Sequence, residues 1–174
     1  MSKRNRAENP VHIKHYDTMS ADERQAFQDQ VEKGGEVDSG GLADRMREAY
    51  LLAYAVQGDQ IVAVGAVKRP ADSYVRKISR RSGVDLNGYT AELGWIHVMP
   101  EFRGQHLALR LSEGLCSSSG NYIFATTRSD NLHMQTILRR LGFKKMGTEY
   151  ESVEHPGKRI QVWLLPRREQ SIRR

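Results

Sequence analysis

One stretch of the chain, residues 89–143, constrains the fold most because a strand, a glycine-containing turn and a helix follow one another there. Thr90–Met99 is apolar and rich in β-forming residues, and Pro100 closes it. Leucine then recurs at every fourth position, which predicts a helix over Gly104–Cys116. The first N–H groups of a helix have no partner within the helix. A turn at this junction therefore predicts an anion-binding site.

The residues of this turn suit a phosphate group. Small side chains let an anion approach the backbone closely, and an arginine adds positive charge. If its backbone is helical, the side chain of His106 is tolerable in the middle of the turn. The residues predicted to contact the anion are Arg103, Gly104, Gln105, His106, Leu107 and Ala108.

Length and charge indicate a single domain with an anionic partner. The chain has 174 residues and a formal net charge of +6, and a single core accommodates that length. We predict a domain over residues 11–165, with a basic insertion at residues 70–88. Residues 1–10 and 166–174 are predicted to be flexible basic tails.

The cysteine and hydropathy patterns exclude several classes of protein. Cys116 is the only cysteine, so an internal disulfide and a multi-thiolate metal site are excluded. We predict that Cys116 is a small core residue. No metal site is predicted, because the histidines lack metal-ligand spacing. Residues 1–10 lack the apolar run of a secretory signal, and no segment approaches the roughly 18 apolar residues of a membrane span. We expect a cytoplasmic location.

Periodicity predicts a mixed α/β domain whose first half is predominantly antiparallel. The predicted strands are Val11–Tyr16, Tyr50–Val56, Gln60–Val67, Thr90–Met99, Tyr122–Thr127, Lys144–Ser152 and Arg159–Leu165. A capping box at Ser20 and Glu23 begins the first helix. Further helices are predicted over Leu42–Ala49, over Gly104–Cys116, and after a start at Ser129 and Asp130 to a stop at Gly142.

Ala91–Gly104, with the sequence AELGWIHVMPEFRG, resembles the central strand and pyrophosphate turn of the GNAT superfamily of N-acetyltransferases. The family's turn has Arg or Gln, two residues, Gly, one residue, and Gly or Ala, and Arg103–Ala108 is similar to it. Asn131 and Leu141–Phe143 resemble the opening and the Leu-Gly-Phe close of a later helix of the family. The resemblance implies a GNAT-like α/β fold, in which helices flank a mixed, mostly antiparallel sheet with splayed central strands.

The resemblance also implies a reaction, the direct transfer of an acetyl group from acetyl-coenzyme A, the acyl donor, to a primary amine of an unidentified acceptor. The backbone near Ile96 and Val98 would pair with the pantetheine arm, and Asn131 would contact the cofactor. An amine with a pKa of about 10 is protonated at neutral pH, so a base must remove a proton. Glu92 matches a carboxylate that some family members use, and is the catalytic candidate.

The chain departs from the family pattern at Leu138, where a tyrosine often acts as general acid. Tyr150, His133 and Ser129 are substitutes that the sequence leaves open. The missing tyrosine motivates an alternative function, a non-catalytic acyl-coenzyme A binder or interaction module. RNA binding is a third class, but no basic motif with interleaved aromatic residues supports a nucleic acid partner. The oligomeric state stays open, a homodimer included.

Three features have a structural interpretation beside the functional one. Glu92 can be a carboxylate paired with a basic side chain. Asn131 can cap its helix, with or without contacting the cofactor. The insertion at residues 70–88 can be a lid over the acceptor site, or a solvated helix that is docked by Val75 and Ile78.

Overall fold

The computed structural model describes residues 9–35 and 37–166, and most of both predicted tails lies outside them. Asn9 is an exception, because its side-chain amide donates to the carbonyl of Val56 at 3.1 Å and so holds the chain against the sheet. Among the described residues, no helix combines the length and the apolar character that a bilayer crossing needs.

Seven strands of residues 9–35 and 37–166 form one sheet, in the order β1-β2-β3-β4-β5-β7-β6. All neighbouring strands are antiparallel except β4 and β5, which are parallel. The predicted mixed, mostly antiparallel fold is therefore confirmed. The strands are β1 (Val11–Lys14), β2 (Leu51–Gln57), β3 (Gln60–Lys68), β4 (Ala91–Val98), β5 (Ile123–Arg128), β6 (Lys144–Glu151) and β7 (Arg159–Leu164).

In the described part of the chain five helices flank the sheet, and one of them begins later than predicted. The basic insertion contains a regular helix, α3, and α4 begins at Leu107 rather than Gly104, because Gly104 and His106 have left-handed backbone conformations. The helices are α1 (Ala21–Lys33), α2 (Leu42–Glu48), α3 (Asp72–Ser82), α4 (Leu107–Ser118) and α5 (Leu132–Arg140), with short 3-10 turns at Tyr16–Thr18 and Pro100–Phe102.

The two faces of the sheet are covered by different helices. The apolar sides of α4 and α5 pack on one face, where they bury leucines against the alanines and Trp163 of the strands. On the other face, α1 and α2 cover β2 and β3, while α3 covers the end formed by β5 and β7. The buried α3 contacts involve Ile78, Val84, Leu86, Phe124 and Val162. This second face is thus covered in two separate parts.

The helix α3 also fits closely against strand β6. Gly147 has a φ of 66° and lies at an irregularity in the pairing of β6 with β7. A Cβ atom at this position would collide with the backbone carbonyl of Ser82, at the end of α3. Arg81 donates to the carbonyl of Glu151 at 2.6 Å. Glycine at position 147 is therefore a requirement of this docking.

The parallel strands β4 and β5 separate along their length. Their pairing ends at Leu93 and Ala125, although both strands continue. The pairing of β3 with β4 shifts register nearby, and Trp95 takes a φ of 55° there. A bulge of this kind bends a strand and increases its local twist. We call the resulting opening the β4–β5 gap, and it corresponds to the splayed central strands that the family resemblance implied.

The predicted capping box of α1 is present and is tied to the sheet. Ser20 Oγ accepts from the Glu23 amide at 3.1 Å, and Glu23 Oε2 accepts from the Ser20 amide at 2.8 Å. Glu23 Oε1 also contacts Lys14 Nζ at 2.9 Å and Tyr54 Oη at 2.5 Å. The bonds from Lys14, Tyr54 and Ser20 lower the pKa of Glu23 to about 2.

This network predicts that the free energy of unfolding falls at acidic pH because Glu23 becomes protonated. Because the folded-state pKa of Glu23 lies below the usual 4.5, its stabilising contribution is fully present above that value and is lost as pH falls toward about 2. Urea unfolding of Glu23→Gln is expected to show a smaller loss of free energy of unfolding over this interval. Asp22→Asn, in the same helical turn, is the control. Equal pH dependence in wild type and Glu23→Gln would contradict the prediction.

Candidate active site

A cavity of about 580 Å³ lies on the face of the sheet that α1, α2 and α3 share. Residues at the end of α1 form one wall, and α3 with the β6–β7 connection forms the opposite wall. The cavity also reaches Asn131 and Met134 at the start of α5, on the far side of the β4–β5 gap. Its size is ordinary for a small-molecule site.

The carboxylate of Glu92 lies in the floor of this cavity. Glu92 is only 2% exposed, and its carboxylate meets donors from three elements. Lys68 Nζ lies 2.9 Å from Oε2, while Tyr74 Oη and Thr126 Oγ1 donate to Oε1 at 3.2 Å and 2.9 Å. The interpretation of Glu92 as paired with a basic side chain is thus part of the observed geometry, and the three donors hold the carboxylate in one orientation.

Sheet register explains why these groups converge. Lys68 at the end of β3 is the cross-strand partner of Glu92, and Thr126 lies two residues beyond Phe124, the partner of Glu92 on β5. A Cβ atom at Gly94 would come within 2.7 Å of Lys68 Cε. Glycine at this position leaves room for the lysine to reach the carboxylate.

Sequence reasoning missed Lys68, Tyr74 and Thr126 as parts of the site. The pairing of Lys68 with Glu92 depends on the register between β3 and β4, which a 22-residue connection does not fix. The helical spacing of Tyr74 with Val75 and Ile78 was a usable signal, since it places Tyr74 on a helix next to the active strand. Nothing local in the sequence indicated which way that side chain points.

Backbone groups of β4 face the β4–β5 gap at the positions predicted to contact pantetheine. The Met99 amide donates to the carbonyl of Val62 at 2.9 Å, so it points toward β3. Because strand amides alternate in direction, those of Val98 and Ile96 point the other way, into the gap. Arg103 Nε donates to the Val98 carbonyl at 3.3 Å, which brings the guanidinium to the same edge.

The turn before α4 presents a run of free amides. Within the described part of the chain, the N–H groups of Gly104, Gln105, His106, Leu107 and Ala108 donate to no protein acceptor. Gly104 has a φ of 78° and His106 a φ of 58°, so the chain turns sharply there. The amides lie at the positive end of a 12-residue helix. The arrangement can bind an anion of the size of a diphosphate.

The backbone of His106 differs from the condition set by the sequence. A right-handed helical conformation would have made its side chain harmless, but His106 is left-handed and caps the helix without a side-chain bond. A non-glycine residue in this region is strained. His106 thus adopts a backbone conformation that glycine adopts more easily.

Asn131 occupies the N-cap of α5, where its Oδ1 accepts from the Met134 amide at 3.1 Å. The capping role is therefore present, and Asn131 also lines the cavity. Leu138, near the C-terminal end of α5, is fully buried in the core that α4 and α5 share. Its side chain points away from the cavity, in keeping with its apolar character.

Comparison with protein families decides the identity of the fold. The family model described as Acetyltransferase (GNAT) family matches residues 16–143. This chain belongs to the GNAT family. A comparison of its sequence with curated proteins finds no match.

Solved GNAT structures share the architecture at low sequence identity. ElaA from Escherichia coli superposes with a TM-score of 0.65 at 14% identity, over 90% of this chain and 99% of that one. YncA from Salmonella typhimurium, a putative acetyltransferase solved with acetyl-CoA, has a TM-score of 0.62 at 13% identity, over 91% of this chain and 96% of that one. Diaminobutyrate acetyltransferase EctA from Paenibacillus lautus was solved with L-2,4-diaminobutyric acid and coenzyme A. It has a TM-score of 0.58 at 14% identity, over 90% of this chain and 96% of that one. These likenesses support the fold alone.

Three residues are candidates for the general acid that is missing at Leu138 of this GNAT chain. Tyr150 lines the cavity, whereas His133 and Ser129 do not. Burial, with the nearby Glu92 charge, raises the pKa of Tyr150 to about 12. Burial, again with Glu92, also raises the pKa of Tyr74. Tyr74 is 39% exposed, yet its hydroxyl points inward to the carboxylate. Both hydroxyls are therefore protonated at neutral pH.

Two further groups behave as ordinary protein residues. Burial raises the pKa of the Cys116 thiol to about 12, so little nucleophilic thiolate is present at neutral pH. Burial, helped by Arg103 and Lys33, lowers the pKa of His97 on the cavity wall, so its imidazole is neutral at pH 7. Among the described residues, no cluster of histidine, cysteine and carboxylate side chains could hold a metal ion.

The left-handed residue in the turn gives a stability prediction. His106→Gly is expected to raise the free energy of unfolding by about 1 kcal/mol, because glycine adopts this conformation without strain. Urea denaturation measures the change. His106→Ala is the matched control, since it removes the imidazole but keeps the Cβ atom and the strain. Equal stability of the two variants would show that the backbone conformation is not the cause.

Proposed function

We propose that the domain over residues 11–165 is an N-acetyltransferase that transfers the acetyl group of acetyl-CoA to a primary amine. The observation that carries this proposal is the buried carboxylate of Glu92 in the floor of a cavity that reaches the β4–β5 gap. A base beside a cavity, next to a site for an anionic donor, is the arrangement that amine acylation requires.

The proposed donor site consists of backbone groups. The free amides from Gly104 to Ala108 would bind the pyrophosphate, with Arg103 adding charge. Amides of Ile96 and Val98 in the β4–β5 gap would pair with the pantetheine arm, as the unpaired edge of a strand can. Asn131, at the far side of the cavity, would contact the same ligand. The acetyl-CoA of YncA and the coenzyme A of EctA support this choice of donor.

The proposed chemistry needs no covalent enzyme intermediate. Acetyl-CoA supplies an activated thioester, and the cavity holds the amine beside it, so that attack becomes effectively intramolecular. Glu92 accepts the proton that the amine must lose, directly or through water. Lys68, Tyr74 and Thr126 keep the carboxylate aimed at the cavity. The new C–N bond forms as the C–S bond breaks, and the sulfur leaves as a thiolate.

Tyr150 is the proposed partner of that thiolate. Its hydroxyl lines the cavity and has no hydrogen-bond partner among the described residues. Because its pKa is about 12, it is a hydrogen-bond donor rather than a strong acid at neutral pH. A hydrogen bond to a developing anion stabilises the transition state without complete proton transfer. This role would take the place of the tyrosine that is absent at Leu138.

The first test is release of free thiol from acetyl-CoA in the presence of a panel of primary amines. Glu92→Gln is expected to slow release by about 10²- to 10⁴-fold, the usual contribution of a general base. Binding of acetyl-CoA, followed as a shift in Tm, is expected to persist in the variant. Glu113→Gln, on the exposed side of α4, is the control.

The outcomes separate catalysis from binding. Acetyl-CoA binding without thiol release from the wild type, for every amine, would favour the non-catalytic acyl-CoA binder. If Glu92→Gln is fully active, the transferase proposal stands, but the assignment of Glu92 as its base is wrong.

Tyr150 gives a separate kinetic prediction. Tyr150→Phe is expected to lower kcat about 10- to 100-fold while the Kd for acetyl-CoA stays close to that of the wild type, because the lost hydrogen bond forms only as the thiolate develops. Tyr122→Phe, which alters a 44% exposed ring outside the cavity, is the control. A rise in the Kd with unchanged kcat would contradict the assignment.

A further inference from the structure

The two sides of α3 carry similar positive charge but face different surroundings. Tyr74, Lys77, Ile78 and Arg81 line the cavity that contains Glu92. Arg76 and Arg80 do not; they line a separate groove on the outer side of the helix. The basic insertion therefore has an inner and an outer set of cations, and only the inner set can contact a ligand in the cavity.

Positive charge exceeds negative charge on the cavity wall. The lining contains six lysine and arginine residues against three carboxylates. Lys68 already forms an ion pair with Glu92, so its charge is not available to a ligand. Lys77 makes no ion pair among the described residues. An unpaired ammonium on the wall of a concave site favours a ligand of opposite charge.

Arg81 retains capacity to bind an anion. Its guanidinium donates to the neutral carbonyl of Glu151 and stacks over the Tyr150 ring at 4.8 Å. A guanidinium has five N–H donors, so one bond to a carbonyl neither neutralises nor saturates it. The stacking and the hydrogen bond fix the orientation of the group at the cavity wall. Such a pre-organised fork is suited to a carboxylate or a phosphate.

The helix also sets how far along its axis these two residues lie from Tyr74, the residue of α3 that contacts Glu92. Tyr74 donates directly to Glu92, and Lys77 and Arg81 follow it on the same side of α3. At the helical rise, they lie roughly 5 Å and 10 Å further along the axis than Tyr74. A ligand whose amine is at Glu92 would thus have its anionic group several bonds away from that amine.

We propose that the acceptor is a small amine with an anionic group, carboxylate or phosphate, that binds Lys77 and Arg81 while its distant amine lies at Glu92. The inference rests on the proposed function and names the substrate class of the same site. The class consists of ω-amino carboxylates and ω-amino phosphates. An α-amino acid has a single carbon between its amine and its carboxylate and is expected to be too short for this arrangement.

Acetyl transfer to matched acceptors tests the proposal. The probes are 6-aminohexanoate, 6-aminohexyl phosphate, hexylamine, which lacks the anion, and glycine, which is too short. The wild type is expected to have a KM at least 10-fold lower for an anionic long amine than for hexylamine. Whether the carboxylate or the phosphate has the lower KM identifies the anion. Equal KM values for all three long amines, or a preference for glycine, would overturn the proposal.

Variants on the two sides of α3 provide the matched control. Lys77→Ala is expected to raise the KM for the preferred anionic amine about 10-fold or more, with kcat and the hexylamine KM nearly unchanged. Arg76→Ala and Arg80→Ala remove the same charge from the outer side and are expected to have no such effect. Arg81→Lys keeps the charge and loses the fork, so a smaller rise is expected. An equal rise in KM for the three alanine substitutions would show a general electrostatic role and overturn the proposal.

Equilibrium binding keeps this test separate from that of the transferase. Calorimetric titration with 6-aminohexanoate and 6-aminohexyl phosphate needs no turnover. If thiol release is absent but Lys77→Ala abolishes probe binding, the anion site stands and the transferase proposal fails. If neither probe binds the wild type, or if Lys77→Ala instead weakens binding of acetyl-CoA, the assignment of the inner cations to the acceptor is wrong.

Discussion

The separation of β4 from β5 after Leu93 and Ala125 is the constraint on which the site depends. A continuous parallel ladder would use the amides of Ile96 and Val98 and would close the route between the two faces of the sheet. Where the ladder stops, the cavity on the α1–α3 face extends to the start of α5 on the other face. The opening thus connects the cavity that contains Glu92 with the side of the sheet on which α5 begins.

Charge within the site is arranged in two separate ways. The turn before α4 relies on backbone dipoles, with one nearby arginine, and its free amides carry partial charges that cannot titrate. The floor of the cavity relies on side chains, because Lys68, Tyr74 and Thr126 surround a single buried carboxylate. The proposed donor binding and the proposed proton transfer therefore depend on different groups, so separate variants can test them.

Much of this architecture could be predicted from the sequence, for local reasons. The capping box at Ser20, the helical period of α5 and the turn after Pro100 are determined by neighbouring residues, and the structure contains each of them. The predicted start of α4 lies three residues before the observed one, because a left-handed histidine is not expected where glycine is usual. The partners of Glu92 were not predictable, since they depend on strand register and on the docking of a distant helix.

The helix α3 forms one wall of the cavity and contacts several strands of the sheet. It contacts Glu92 through Tyr74, packs on β5 and β7 through Ile78, and meets β6 where Gly147 permits close approach. The segments proposed for the acceptor are thus encoded apart from the strand–turn–helix unit proposed for the donor. Substitutions confined to α3 are therefore expected to change acceptor selectivity while the backbone groups proposed for the donor keep their geometry.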